Sequence, residues 1–114
     1  MNFNDYQVAA AKYDTFDGVK PEVGDPGFIE KVLGLAGETG EACEKFKKIL
    51  RDKGGKLSPE DKKEVTKELG DVLWYLASIS RCMGVEFQEV AEMNIDKLQS
   101  RLERNKIHGA GDNR

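Results

Sequence analysis

Three prolines punctuate this chain, Pro21, Pro26 and Pro59, and its glycines cluster at 18–27, 54–55 and 109–111. The stretches between these marks are long and hold few β-branched runs, which suits extended helices. Apolar residues recur at spacings of three and four. In one segment they are Val65, Leu69, Val72, Leu73, Leu76 and Ile79; in another they are Ala91, Ile95, Leu98 and Leu102. The pattern predicts a short first helix from about Asn4 to Asp14 and a loop over Thr15 to Asp25. A second helix, capped at Asp25 and opened by Pro26, runs to about Lys53 and stops at Gly54-Gly55. Ser58-Pro59-Glu60-Asp61 starts a third, with acids in the first turn where the helix dipole favours them. It runs to about Met83 and stops at Gly84. A fourth spans about Glu86 to Arg104, and the tail from Asn105 is expected to be irregular unless a ligand or partner orders it.

The expected fold is therefore all-α, a helical bundle of one short and three long helices in a single domain over residues 1–114. A lone bundle of this size buries only about 60–65% of its unfolded surface. Completion by oligomerisation, as a homodimer or homotetramer, is expected. Trp74 lies off the main apolar stripe of its helix and reads as an interface residue. Cys82, Met83 and Met93 read as core. Tyr6, Tyr13 and Phe16 read as core before base-stacking groups.

Composition removes several classes. The chain is 39% hydrophobic and 34% charged, too apolar for disorder. No run approaches the roughly 18 apolar residues of a membrane helix, so no membrane partner is expected. The first ten residues carry Asp5 and no basic stretch, unlike a signal peptide. A net charge of −3 argues against a nucleic-acid partner. Cys43 and Cys82 form no disulfide framework and suit a cytoplasmic location. With His108 the only histidine, neither a His/Cys zinc site nor a Glu-x-x-His redox bundle can be built.

What remains is carboxylate chemistry. Glu38 and Glu41 on the second helix, and Glu68 and Asp71 on the third, are each spaced i, i+3 and share a helix face. Facing each other across two antiparallel helices, the pairs would form an oxygen cage of the kind Mg²⁺ or Mn²⁺ takes. A solvated acidic face is the plainer reading. Two features favour the cage. Gly34 and Gly37 share the face of Glu38 and Glu41, where a purely solvated surface gains nothing from glycine. Lys45 and Lys48 continue that face, as a polyphosphate site would require. Glu44 is either a fifth ligand or a partner of Lys48, and the partner is favoured. Asn94, Lys97, Arg101 and Arg104 fall on one face of the fourth helix, which is either solvated or meets phosphate. The last eighteen residues hold five bases and two acids, so the small net charge hides an acidic body and a basic end.

Gly-Glu-Thr-Gly-Glu at 37–41, followed by Lys-Glu-Leu-Gly-Asp-Val-Leu-Trp-Tyr-Leu at 67–76, resembles the MazG-like nucleotide pyrophosphohydrolases of the all-α NTP pyrophosphatase superfamily. Tyr6-Gln7 and the run Asn94-Ile95-Asp96-Lys97-Leu98 with Arg101 and Arg104 match as well. The resemblance implies an oligomer that cleaves a nucleoside triphosphate, an NTP or dNTP, to the monophosphate and pyrophosphate with Mg²⁺, Mn²⁺ being a substitute. It implies Glu38, Glu41, Glu68 and Asp71 as catalytic metal ligands, with Asn94, Lys97, Lys48 and Arg101 meeting the phosphates. Many members carry a Glu-Glu doublet where this chain has Gly37-Glu38, so the general base stays open; Glu38 is assigned either that role or a ligand's. The competing reading is a non-catalytic helical oligomer whose acidic face binds metal or a partner.

Overall fold

The first and third helices begin where the sequence supplies the hydrogen bonds that a bare terminus lacks. The computed structural model describes residues 1–14 and 20–114, and all of its regular structure is helical: α1 (Phe3–Ala11), α2 (Pro26–Lys53), α3 (Pro59–Cys82) and α4 (Phe87–Glu103). Residues 15–19 of the expected loop, Phe16 included, lie outside the described residues. Asn2 caps α1, its side chain accepting from the Asp5 amide at 2.8 Å while the Asp5 carboxylate accepts from the Asn2 amide. Ser58 and Asp61 make the same reciprocal pair at the start of α3. Asp25 precedes Pro26 as expected, but its carboxylate accepts from the Glu22 amide at 2.8 Å and gives α2 no side-chain cap. At the end of α3, Gly84 takes φ +73°, and Val85 and Gly84 donate to the Ser80 and Arg81 carbonyls, which ends the helix at the glycine the sequence marks.

α2 and α3 pack antiparallel, and three contacts fix their register. Gly34 lies under Tyr75, Lys45 Nζ stands 3.4 Å from Glu68 Oε1, and Lys53 Nζ donates to both Asp61 carboxylate oxygens at 2.7 Å. A Cβ on Gly34 would collide with the Tyr75 ring, so any larger residue there must displace the tyrosine. Gly37 faces open space. α1 is tied across α3 and the start of α4 by Gln7, which donates to the Ala77 and Val85 carbonyls and accepts from the Phe87 amide. A buried ion pair, Lys31 with Asp14 at 2.6 Å, joins the end of α1 to α2, and Ser78 of α3 donates to the same carboxylate. Sequence periodicity gives no sign of this pair.

Several packing expectations change. Trp74 is not left for an interface: its Nε1 donates to the Ala10 carbonyl at 3.2 Å, and Lys31 Nζ lies 5.1 Å from its ring centroid. α3 has neighbours on more than one side, so a residue off its main stripe still meets α1. Met83 and Met93 are exposed, whereas Cys82 is buried. Leu69 and Leu76 on α3, and Ile95, Leu98 and Leu102 on α4, are also exposed. The radius of gyration, 16.9 Å, exceeds the roughly 13 Å of a compact chain near this length. The core is correspondingly thin, built from Phe28, Ala42, Ile49, Val65, Ala77 and Phe87 with a few others.

Two outcomes test this packing. Gly34→Ala forces Tyr75 from its seat and is expected to cost about 1–3 kcal/mol, as overpacking does. Gly37→Ala is expected to add about 0.5–1 kcal/mol. Denaturant unfolding followed by circular dichroism reads both, and a stabilised Gly34→Ala contradicts the contact. The Asp61 carboxyl is lowered from 3.8 to about 2 by Lys53 and then by the Ser58 amide and hydroxyl. A carboxylate depressed on folding gives stability that is complete above its unfolded value and lost as pH falls through its folded one. Asp61→Asn should be less stable than the parent at neutral pH, with the gap closing between about pH 4 and pH 2. A gap that stays constant over that window contradicts the assignment.

Candidate metal centre

The α2–α3 register sets acid against acid. Glu38 and Glu41 stand one turn apart on α2 and Glu68 faces them from α3, and each offers a carboxylate oxygen within 4.8 Å of the other two. Glu38 and Glu68 are half-buried and Glu41 is exposed. Asp71, one turn beyond Glu68, is not part of that close trio, but its charge reaches Glu38 and Tyr6. Burial first, then the Glu41, Asp71 and Glu68 carboxylates, push the Glu38 carboxyl above its ordinary value. Burial and then Asp71 raise the Tyr6 hydroxyl in the same way.

Like charges about 4 Å apart repel by about 4 kcal/mol at an effective dielectric near 20. Lys45, beside Glu68, sets one positive charge against this group. The donor set is all carboxylate, with no imidazole or thiolate in it, which is the chemistry of a hard divalent cation. The residues present therefore fit such an ion. Lys45 lies four residues after Glu41, on the same face, so helical spacing could have marked it as the pair's counter-charge.

Glu44 stands outside the trio. Its carboxylate pairs with Lys47 at 2.8 Å, whereas Lys48, the expected partner, acts on it only through its charge. Lys48 instead lines a cavity of about 230 Å³ with Lys45, Lys53, Asp61 and Glu64, along the seam from the trio. Tyr75 packs on Gly34. Tyr6 leans on Phe87 at a centroid distance of 6.2 Å and lines an apolar cavity of about 330 Å³ with Phe3, Leu73 and Gln88. Tyr13 is exposed.

The fourth helix is placed otherwise than its basic face suggests. α4 packs on α1 and α3, and among the described residues it makes no contact with α2. Asn94 is exposed. Lys97 Nζ donates to Asp112 Oδ1 at 3.2 Å, and Arg101 is buried beneath the tail, donating to the Gly111 and Asp112 carbonyls. Sequence spacing assigned the tail no such role.

The model of the MazG nucleotide pyrophosphohydrolase domain matches residues 29–105, which include all four acids, Lys48, Asn94, Lys97 and Arg101. Gene 37 protein of Mycobacterium phage L5 is 43% identical over the full length of both chains. No solved structure matches significantly. The paired acids on adjacent helices and the extent of the match agree: the chain belongs to the MazG nucleotide pyrophosphohydrolase family.

Proposed function

We propose that the chain hydrolyses a nucleoside or deoxynucleoside triphosphate to the monophosphate and pyrophosphate, using Mg²⁺ with Mn²⁺ as a substitute, in the cleaning or control of a nucleotide pool. The observation that carries this reading is the close trio Glu38, Glu41 and Glu68, with Asp71 one turn away, in a member of this family. These four residues would hold the cation. Once bound, it supplies charge neutralisation of the triphosphate and polarisation of its oxygens.

The chain's own groups account for the remaining roles. Water attacks the α-phosphorus, the bond from that phosphorus to the bridging oxygen breaks, and pyrophosphate leaves. Glu38 is assigned as the acceptor of the water's proton or as a ligand. Asn94, Lys97 and Lys48 meet the phosphates, and Lys97 offsets charge on the leaving group. Because α4 does not touch α2 within one chain, the cage and Lys97 would meet in an assembly of two or four copies. The open apolar side chains Ile95, Leu98 and Leu102 support such an assembly.

A panel of NTPs and dNTPs with Mg²⁺, scored for pyrophosphate against orthophosphate, tests the reading. Pyrophosphate is the expected product. Orthophosphate alone, or no turnover of any nucleotide, contradicts it, and the latter favours the non-catalytic oligomer. Glu41→Gln and Asp71→Asn are each expected to lose about a hundredfold or more in kcat with helical content unchanged. Sedimentation of the same preparation should give a dimer or tetramer; a monomer at micromolar concentration removes the shared-site arrangement.

A further inference from the structure

The C-terminal tail is a folded piece of structure. Past the end of α4 at Glu103, Asn105 takes φ +56° and turns the chain back, and Lys106 and Asn105 donate to the Arg101 and Leu102 carbonyls at 2.7 and 3.1 Å. This is the paired-bond helix ending that closes α3 as well. Gly111, at φ +81°, then sets Asp112 against the helix. The Arg114 guanidinium donates to the Ile107 and Gly111 carbonyls, and Arg104 donates to the Arg114 carbonyl.

Arg101 is the anchor. It is only 4% exposed, and its Nη2 donates to the Gly111 carbonyl, the Asp112 carbonyl and Asp112 Oδ1 at 3.2, 2.9 and 3.3 Å. A buried guanidinium is costly unless a carboxylate and hydrogen bonds compensate it, and at Nη2 the tail provides both. Its Nη2 is turned to the tail and its Nε is buried with no hydrogen-bond partner among the described residues, so Arg101 is not presented to a phosphate at the surface. Lys97 is different. Its side chain is 36% exposed, and it gives Asp112 Oδ1 one of the three N–H donors of an ammonium, which leaves two for another acceptor. A lysine stem is otherwise flexible, so the shared carboxylate restricts where that charge sits. Asp112 lies beyond residues 29–105, the extent of the family match.

We propose that Arg101 and Asp112 are a positioning pair: Arg101 seats the tail, and the Asp112 carboxylate aims the Lys97 ammonium at the phosphates of the nucleotide. This rests on the pyrophosphohydrolase reading for its substrate and replaces a direct phosphate role for Arg101. Asp112→Asn is the informative variant, because it keeps an acceptor for Arg101 and removes the charge that holds Lys97.

The test is a double-mutant cycle of the parent, Asp112→Asn, Lys97→Ala and the double variant. It is read twice, by nucleotide kinetics and by calorimetric binding of inorganic tripolyphosphate with Mg²⁺. Asp112→Asn is expected to raise KM and the tripolyphosphate Kd about tenfold, because the Lys97 ammonium loses the carboxylate that fixes its place, and to lower kcat as well, since Lys97 offsets charge on the leaving group. In the Lys97→Ala background the same substitution should add nothing, because its effect passes through Lys97. An equal weakening in both backgrounds makes Asp112 merely structural and overturns the proposal. So does an Asp112→Asn variant equal to the parent, or a parent that binds no tripolyphosphate. Coupled binding without turnover keeps the pair and removes the enzyme reading; turnover with an additive cycle does the reverse.

Discussion

The seam between α2 and α3 is the contact on which the rest of the molecule depends. Gly34 against Tyr75, Lys45 against Glu68 and Lys53 against Asp61 run along it from one end to the other. Together they allow one register, and that register brings Glu38, Glu41 and Glu68 within 4.8 Å of one another. A slip of one helical turn, about 5.4 Å, would break the Lys45–Glu68 and Lys53–Asp61 pairs together. The packing thus holds together charges that would otherwise separate, and the repulsion among them is what a divalent cation would relieve.

Local chemistry made the helices legible. Pro26, Pro59, Ser58 with Asp61, Gly54 and Gly84 act within a few residues of where they stand, and each lies at the terminus it predicted. The acidic faces were legible because i, i+3 spacing fixes a face; Glu38, Glu41 and Glu68 meet across the seam, and Asp71 stands one turn off. What sequence spacing could not give is whatever depends on a neighbour distant in the chain. Trp74 reads as outward until α1 is set beside it, and Lys31 with Asp14 becomes a pair only after α1 and α2 meet. The basic face of α4 was legible as a face, but its occupant was not. Asp112 reaches Lys97 and Arg101 because Asn105 and Gly111 take positive φ, a consequence of turns that helical periodicity does not describe.

The same structure leaves work for a second surface. Its core is thin, its α4 carries exposed Ile95, Leu98 and Leu102, and its basic helix stands apart from the row of acids on α2. In the proposed reading these are one fact seen three ways: copies of the chain cover each other's apolar faces and bring phosphate-binding lysines to a cage on another protomer. The tail then fits as the element that fixes one of those lysines before substrate arrives, lowering the ordering cost at binding.

The central claim is that the four acids form a cation site. Titration of Mn²⁺ into the parent chain and into Glu68→Gln, with free Mn²⁺ read by electron paramagnetic resonance, tests it without recourse to any nucleotide. The parent is expected to bind Mn²⁺ saturably, and Glu68→Gln to bind it about tenfold or more weakly. A parent that leaves the Mn²⁺ free, or a Glu68→Gln chain that binds it equally well, would contradict the claim.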